Sequence, residues 1–203
     1  MNKLVIFDLD GVLVDACEWH RIALNKALKE ICDYEISLEE HYSVFNGTPT
    51  KVKLQKLTEM GIVPEDKHQE IYNKKQELTI QTINENAPFR KEKVDMINEL
   101  KQNGYYVACF TNSIRETAVL MLDKTGVLEH LDYLVTNQDV EKTKPDPEGY
   151  LFLVNKFNVD KKNVTIIEDS PKGLAAAYAS GCNVIKVGDP SEVDAELFKE
   201  YLL

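Results

Sequence analysis

The sequence predicts an α/β fold: a doubly wound, mostly parallel sheet interrupted by one all-helical insertion. Three observations carry this expectation. Five short apolar runs recur along the chain, helical periodicity fills most of the intervals between them, and the stretch from about Asp15 to Ala87 has no strand pattern. The runs are Leu4–Phe7, Val107–Phe110, Tyr133–Val135, Val164–Ile167 and Val184–Val187. Apolar runs of this length, bounded by polar and turn residues, read as buried strands. Strands that alternate with helices give a parallel sheet with helices on both faces.

Taken in order, Leu4–Phe7 delivers Asp8-Leu9-Asp10-Gly11, a strand running into a tight turn. Open α/β sheets bind ligands at the carboxyl ends of their strands. Residues i and i+2 of a strand share a face, so Asp8 and Asp10 are expected to converge on one small ligand. Two carboxylates that close need a cation or a shared proton. The insertion reads as helices with breaks near Asn46-Gly47-Thr48-Pro49 and Gly61-Ile62-Val63-Pro64. A helix beginning near Lys91 should stop at Gly104. Val107–Phe110 ends in Thr111-Asn112-Ser113, and Ser113 with Glu116 makes a capping box for the next helix. Lys144-Pro145-Asp146-Pro147 opens a helical stretch. Asp146 before Pro147 and Ser170 before Pro171 each place an N-cap ahead of a proline at the first helical position. An X-Pro bond such as Lys144-Pro145 is cis about one time in twenty. Val164–Ile167 ends in Glu168-Asp169-Ser170, and Gly181 should close the helix that follows.

Composition narrows the function. A chain of 203 residues can bury a proper core. Its formal net charge of -10, with no basic stripe, excludes a nucleic-acid backbone as partner. An acidic protein that handles anions needs local cations, which points to a metal and to particular lysines. Arg21, Arg90 and Arg115 are the only arginines, so any bidentate grip on an anion would use one of them; Arg115 reads as a surface charge. Cys17, Cys32, Cys109 and Cys182 form no CxxC pair, and Cys109 and Cys182 read as buried thiols. The first residues show no basic stretch leading into a long apolar one and no apolar run approaches membrane-spanning length, so neither a secretion signal nor a membrane span is expected. A soluble, cytoplasmic protein in a reducing setting is expected, with no membrane partner and nothing that demands more than a monomer.

The strand and helix ends thus carry, in order, a paired Asp, a Thr, a Lys and an acidic pair. That ordered set, running from about Lys3 to Gly188, resembles the haloacid dehalogenase superfamily. Alone, Thr111 would read as a turn residue and Lys144 as an exposed lysine; the resemblance gives both a role. It implies a Rossmann-like catalytic core made of residues 1–14 and 88–203, with a small α-helical cap domain at 15–87 between the first and second motif strands. It implies Mg²⁺ held by the Asp8 side chain, the Asp10 backbone carbonyl and Asp169, with Glu168 as a direct or outer helper. Asp8 becomes the nucleophile that forms an aspartyl phosphate, and Asp10 the general acid and base. Thr111 would bond a phosphoryl oxygen, aided by the N–H groups of Asn112 and Ser113 at a helix N-terminus, and Lys144 would neutralise the phosphoryl charge.

An acidic residue at position 10 favours phosphate chemistry, because the dehalogenase and phosphonate-cleaving branches lack one there. The implied activity is hydrolysis of a small phosphorylated metabolite. The cap would select it: His20 and Trp19 follow the first hinge, and Gly47, Thr48 and Lys51 fall where related caps carry a specificity loop, with Lys53 close by. Two other readings stand beside this one. A phosphosugar mutase resembling β-phosphoglucomutase shares the motifs, although Ala16, Asn46 and Thr50 depart from that relative's pattern. A receiver-like signalling module uses similar residues, but its phosphorylated Asp ends a later strand and it has no helical insertion.

Overall fold

The computed structural model describes residues 3–45 and 48–201. The chain divides into two compact units, one joining the residues through Asp15 to those from Ala87 onward, the other spanning Ala16–Asn86.

In the first unit all five expected strands form: β1 (Lys3–Phe7), β2 (Tyr105–Phe110), β3 (Tyr133–Val135), β4 (Val164–Glu168) and β5 (Asn183–Lys186). Among the described residues they make one sheet, ordered β3-β2-β1-β4-β5, with every pairing parallel. β2 starts earlier than its apolar run because Tyr105 is itself buried, with Lys3 Nζ donating to its hydroxyl at 3.1 Å. The central strands are mostly apolar and almost wholly buried since both faces are covered, whereas the edge strands β3 and β5 are only partly buried. On one face Leu4, Ile6, Ala108, Phe110 and Ile166 pack against Tyr150, Leu153, Ala176 and Ala177. Each large apolar side chain so buried contributes roughly 1.5–3 kcal/mol.

The helical unit comprises α1 (Cys17–Cys32), α2 (Leu38–Glu40), a π turn (His41–Phe45), α3 (Thr50–Glu59), a 3₁₀ turn (Glu65–Lys67) and α4 (His68–Asn86). Among its described residues there is no strand. Its own core holds Leu24, Leu28, Ile36, Phe45, Leu54, Leu57 and Ile71. Buried Asn25 fixes the return after α1 by bonding both backbone groups of Ile36, at 2.9 and 3.1 Å. The second expected break separates α3 from the 3₁₀ turn; at the first, Asn46 and Gly47 lie outside the described residues.

The remaining helices belong to the first unit: α5 (Lys91–Gln102), α6 (Arg115–Lys124), α7 (Glu148–Phe157), α8 (Pro171–Ser180) and α9 (Ala195–Tyr201). Ser170 caps α8 as expected, accepting from Gly173 N–H, and Gly181 ends it. Two helix starts differ. α7 begins at Glu148, one residue late, with Asp146 Oδ1 accepting the Glu148 N–H at 3.0 Å. The capping box at Ser113 and Glu116 does not form: Ile114 occupies the N-cap of α6, and Ser113 is engaged elsewhere. Cys182 is another correction. It is half-buried just ahead of β5, while Cys109 is fully buried in β2, and none of the four cysteines is in a disulfide. No described helix is long and apolar enough to cross a membrane.

Candidate active site

Sheet register brings the key residues together. Phe7 lies opposite both Cys109 and Ile167, so β1, β2 and β4 end at nearly the same level. Asp8 follows β1 and continues the ladder by donating its N–H to Ile167 O at 3.0 Å. Glu168 ends β4 beside it, and Thr111 follows β2 on the other side. The sheet order reverses about β1, so Asp8 stands at the topological switch point where open α/β sheets bind ligands. Lys144 arrives from the β3–α7 connection, its bond to Pro145 being cis. The Asn112 side chain clamps it at the backbone, accepting Lys144 N–H at 3.0 Å and donating to Lys144 O at 3.2 Å.

The Lys144 ammonium reaches Asp8 Oδ1 and Glu168 Oε1, both at 2.5 Å. It also faces the rings of Phe110 and Tyr150, at 4.9 and 5.1 Å from their centroids. Asp8, Lys144 and Glu168 are 6, 5 and 0% exposed, so this is a buried charge cluster. Glu168 is saturated with donors. Its Oε1 accepts from Lys144 and the Tyr150 hydroxyl, and its Oε2 from the N–H groups of Asp169 and Ser170 and the Ser170 hydroxyl. Asp169 is the opposite case, since its buried Oδ1 has no partner.

Ligand oxygens of Asp8, Glu168 and Asp169 lie within 4.8 Å of one another. Three carboxylates against one ammonium leave an excess of two negative charges. Burial, reinforced by Glu168 and Asp10, accordingly pushes the Asp8 carboxyl well above its ordinary range despite Lys144. Burial and then Glu168 raise Asp169 to about 6. Burial opposes the charge on Lys144, but Asp8, Tyr150 and Glu168 outweigh it and hold the ammonium well above its usual value. A divalent, oxygen-seeking cation fits such a place: it meets the charge excess and gives the partnerless Asp169 oxygen a ligand. Gly11 makes room for the Asp169 carboxylate. At φ +94° it adopts the left-handed region, and a Cβ there would stand 2.2 Å from Asp169 Oδ2.

Asp10 departs from the expected shared strand face. The strand stops at Phe7, and residues 9–13 form a turn in which Leu9 O accepts the N–H groups of Val12, Leu13 and Val14. Asp10 therefore has partners of its own: Oδ2 accepts from the Thr111 hydroxyl at 3.1 Å and the Ser113 hydroxyl at 2.9 Å. Thr111 Oγ1 accepts in turn from Ser113 N–H at 2.9 Å. Since α6 starts only at Arg115, Asn112 and Ser113 precede the helix rather than forming its first turn. Arg115 is exposed and pairs with Asp139 at 2.6 Å.

The cap residues named from the sequence belong to the helical unit. His20 Nδ1 lies 3.2 Å from Lys75 Nζ. Thr48 donates its N–H to Phe45 O at 3.1 Å, and Lys51 Nζ stands 6.0 Å from the Tyr72 ring centroid. Lys53 is buried, Trp19 is half-buried, and Gly47 lies outside the described residues.

Sequence reasoning missed four contributors: the Asn112 and Ser113 side chains, Tyr150, and Gly173. At Gly173 a Cβ would fall 1.7 Å from Glu168 Oε1, within the carboxylate itself. Gly173→Ala should therefore displace Glu168 and strip the buried Lys144 of one counter-ion, costing about 2–4 kcal/mol. Thermal unfolding followed by circular dichroism checks this, and a midpoint within a degree of wild type would contradict it.

Comparison with known proteins gives the family. The sequence profile of the haloacid dehalogenase-like hydrolases matches residues 5–187, and the chain belongs to that family. A phosphoglycolate phosphatase of Nitrosospira multiformis is 27% identical over 190 residues, covering 91% of this chain and 82% of its own. Among solved structures, CbbY from Rhodobacter sphaeroides in complex with phosphate superposes with a TM-score of 0.81 at 24% identity, covering 92% of this chain and 86% of that one. β-Phosphoglucomutase (pgmB) from Clostridium difficile gives 0.78 at 21% identity, over 98% and 96% of the two chains. At such identities the two structures speak to the fold.

Proposed function

We propose that this haloacid dehalogenase-like hydrolase is a Mg²⁺-dependent phosphatase that hydrolyses a small phosphorylated metabolite through an aspartyl phosphate on Asp8. One observation carries the reading: a buried lysine shared between Asp8 and Glu168, beside an Asp169 oxygen that has no partner. The naming of the Nitrosospira relative as a phosphoglycolate phosphatase supports the substrate class. Four cysteines outside any disulfide suit a reducing, cytoplasmic setting.

Asp8, Asp169 and the Asp10 carbonyl would hold the metal, with Glu168 adding charge while its own oxygens stay on their donors. Mg²⁺ so bound supplies Lewis-acid stabilisation of the charge on the phosphoryl oxygens. An Asp8 oxygen attacks phosphorus, forming the acyl-phosphate bond as the ester P–O bond breaks. Asp10, oriented by Thr111 and Ser113, gives its proton to the departing alkoxide. The same carboxylate then takes a proton from water, whose oxygen attacks phosphorus and frees phosphate and Asp8. Lys144 stays charged throughout and follows the negative charge from Asp8 to the phosphoryl group. Thr111 turns its hydroxyl from Asp10 to a phosphoryl oxygen.

The test is phosphate release from a panel of phosphorylated metabolites, with and without Mg²⁺, using Asp8→Asn as the blank. Metal-dependent release from one class of substrate is expected. No release from any of them, aryl phosphates included, would overturn the phosphatase reading and make phosphosugar isomerisation the next assay.

A pH dependence follows from Asp169. Its carboxyl, raised from 3.8 to about 6 in the metal-free protein, holds a proton in the folded state that the unfolded chain has already lost. Its contribution to stability is thus present below 3.8 and lost as pH rises through about 6. Mg²⁺ needs the ionised form, so metal-induced stabilisation should grow over the same window. Melting temperatures across it, in chelator and in Mg²⁺, should diverge as pH rises; parallel curves would exclude Asp169 as a metal-holding group.

A further inference from the structure

Tyr150 is fully buried, and its hydroxyl donates to Glu168 Oε1 at 3.0 Å. Burying a hydroxyl is costly unless it is hydrogen-bonded, and phenylalanine would fill the same space without that cost. The ring is held edge-on to Phe110, with centroids 5.0 Å apart and planes at 88°, so packing sets where the hydroxyl points. Its single acceptor oxygen is the one that also receives Lys144. Lys144 is meanwhile claimed by two carboxylates at the same distance of 2.5 Å.

We infer that Tyr150 is a positioning residue: by sharing Glu168 Oε1, its hydroxyl weakens the hold of Glu168 on Lys144 and leaves the ammonium available to Asp8. A carboxylate oxygen that accepts two donors binds each less strongly than it would bind one. Without the hydroxyl, Lys144 settles toward Glu168 and follows less well the charge that moves from Asp8 to the phosphoryl group. The effect belongs to the chemical step, because no part of Tyr150 is placed on the metal or on the substrate. Burial keeps the phenol well above its ordinary pKa, so it remains a donor at any working pH.

This inference rests on the phosphatase reading, and the experiment separates the two. Turnover and KM are measured for wild type, Tyr150→Phe, Glu168→Gln and the double variant, with Mg²⁺ binding followed independently as the metal-induced rise in melting temperature. Tyr150→Phe keeps the ring and the core packing, so folding is preserved. Its kcat should fall about 10-fold, the scale of a hydrogen bond to a charged group. KM and the Mg²⁺-induced stabilisation should stay within about twofold of wild type. Because Tyr150 acts through Glu168, adding Tyr150→Phe to Glu168→Gln should change kcat less than about twofold. An unchanged kcat in Tyr150→Phe, full additivity in the double variant, or a loss traced wholly to weaker Mg²⁺ binding would each overturn the assignment while the phosphatase reading stands. A wild-type protein that releases no phosphate from any substrate would instead overturn the phosphatase reading and this inference with it.

Discussion

Asp8→Asn should yield a folded protein whose phosphate release is slower by about 10⁴-fold or more, the scale seen when a covalent nucleophile is removed. The amide nearly matches the carboxylate in size but is a far weaker nucleophile and carries no charge. Stability should move the other way. Asp8 is one of three clustered carboxylates, of which it and Glu168 share the one ammonium, and burial already drives it toward its neutral form. A neutral side chain at position 8 relieves that repulsion, and Lys144 keeps Glu168 as a counter-ion. The metal-free variant should therefore melt no lower than wild type, while the rise in melting temperature caused by Mg²⁺ shrinks. Scanning calorimetry and a phosphate-release assay on one preparation give both readouts. Near-normal turnover would end the covalent mechanism. An unfolded variant would instead make Asp8 a structural residue, in conflict with the charge excess around it.

Much of this arrangement could be read from the chain, and the reason is physical. Apolar runs end where a sheet ends, and in a parallel sheet the ends of neighbouring strands share a level, so Asp8, Thr111 and Glu168 announce themselves by following such runs. What could not be read is what holds these residues. Asn112 clamps Lys144 across 32 positions, Ser113 meets Asp10 across 103, and Tyr150 meets Glu168 across 18. Local pattern sees only the nearest partner. Ser113 and Glu116 have the spacing of a capping box, but the Ser113 hydroxyl donates to a carboxylate instead. The fold brings the Asp10 carboxyl within 2.9 Å of that hydroxyl, a partner that local spacing cannot reveal. The same limit explains Gly173: in the sequence it is an early residue of a helix, and only the fold brings the Glu168 carboxylate onto the space a side chain would take.

Asp10→Asn should separate the two steps that Asp8→Asn abolishes together. The proposed duty of Asp10 is proton transfer, which typically contributes about 10²–10⁴-fold. The loss should depend on the leaving group: near the top of that range for an alkyl phosphate, whose alkoxide needs a proton to depart, and much smaller for a nitrophenyl phosphate, whose phenolate leaves unaided. Hydrolysis of the aspartyl phosphate still needs a base to activate water. With the nitrophenyl ester, the variant should therefore release a burst of phenolate matching the enzyme concentration and then turn over slowly. Mg²⁺ binding should survive, because the ligand assigned to residue 10 is its backbone carbonyl. Two hydroxyls donate to Oδ2 of the native carboxylate, and the amide oxygen can accept both in the same orientation. Rapid-mix kinetics on the two esters, with metal-induced stabilisation measured alongside, test the assignment. Equal losses on both esters, or a matching loss of Mg²⁺ binding, would move Asp10 from proton transfer to holding the metal.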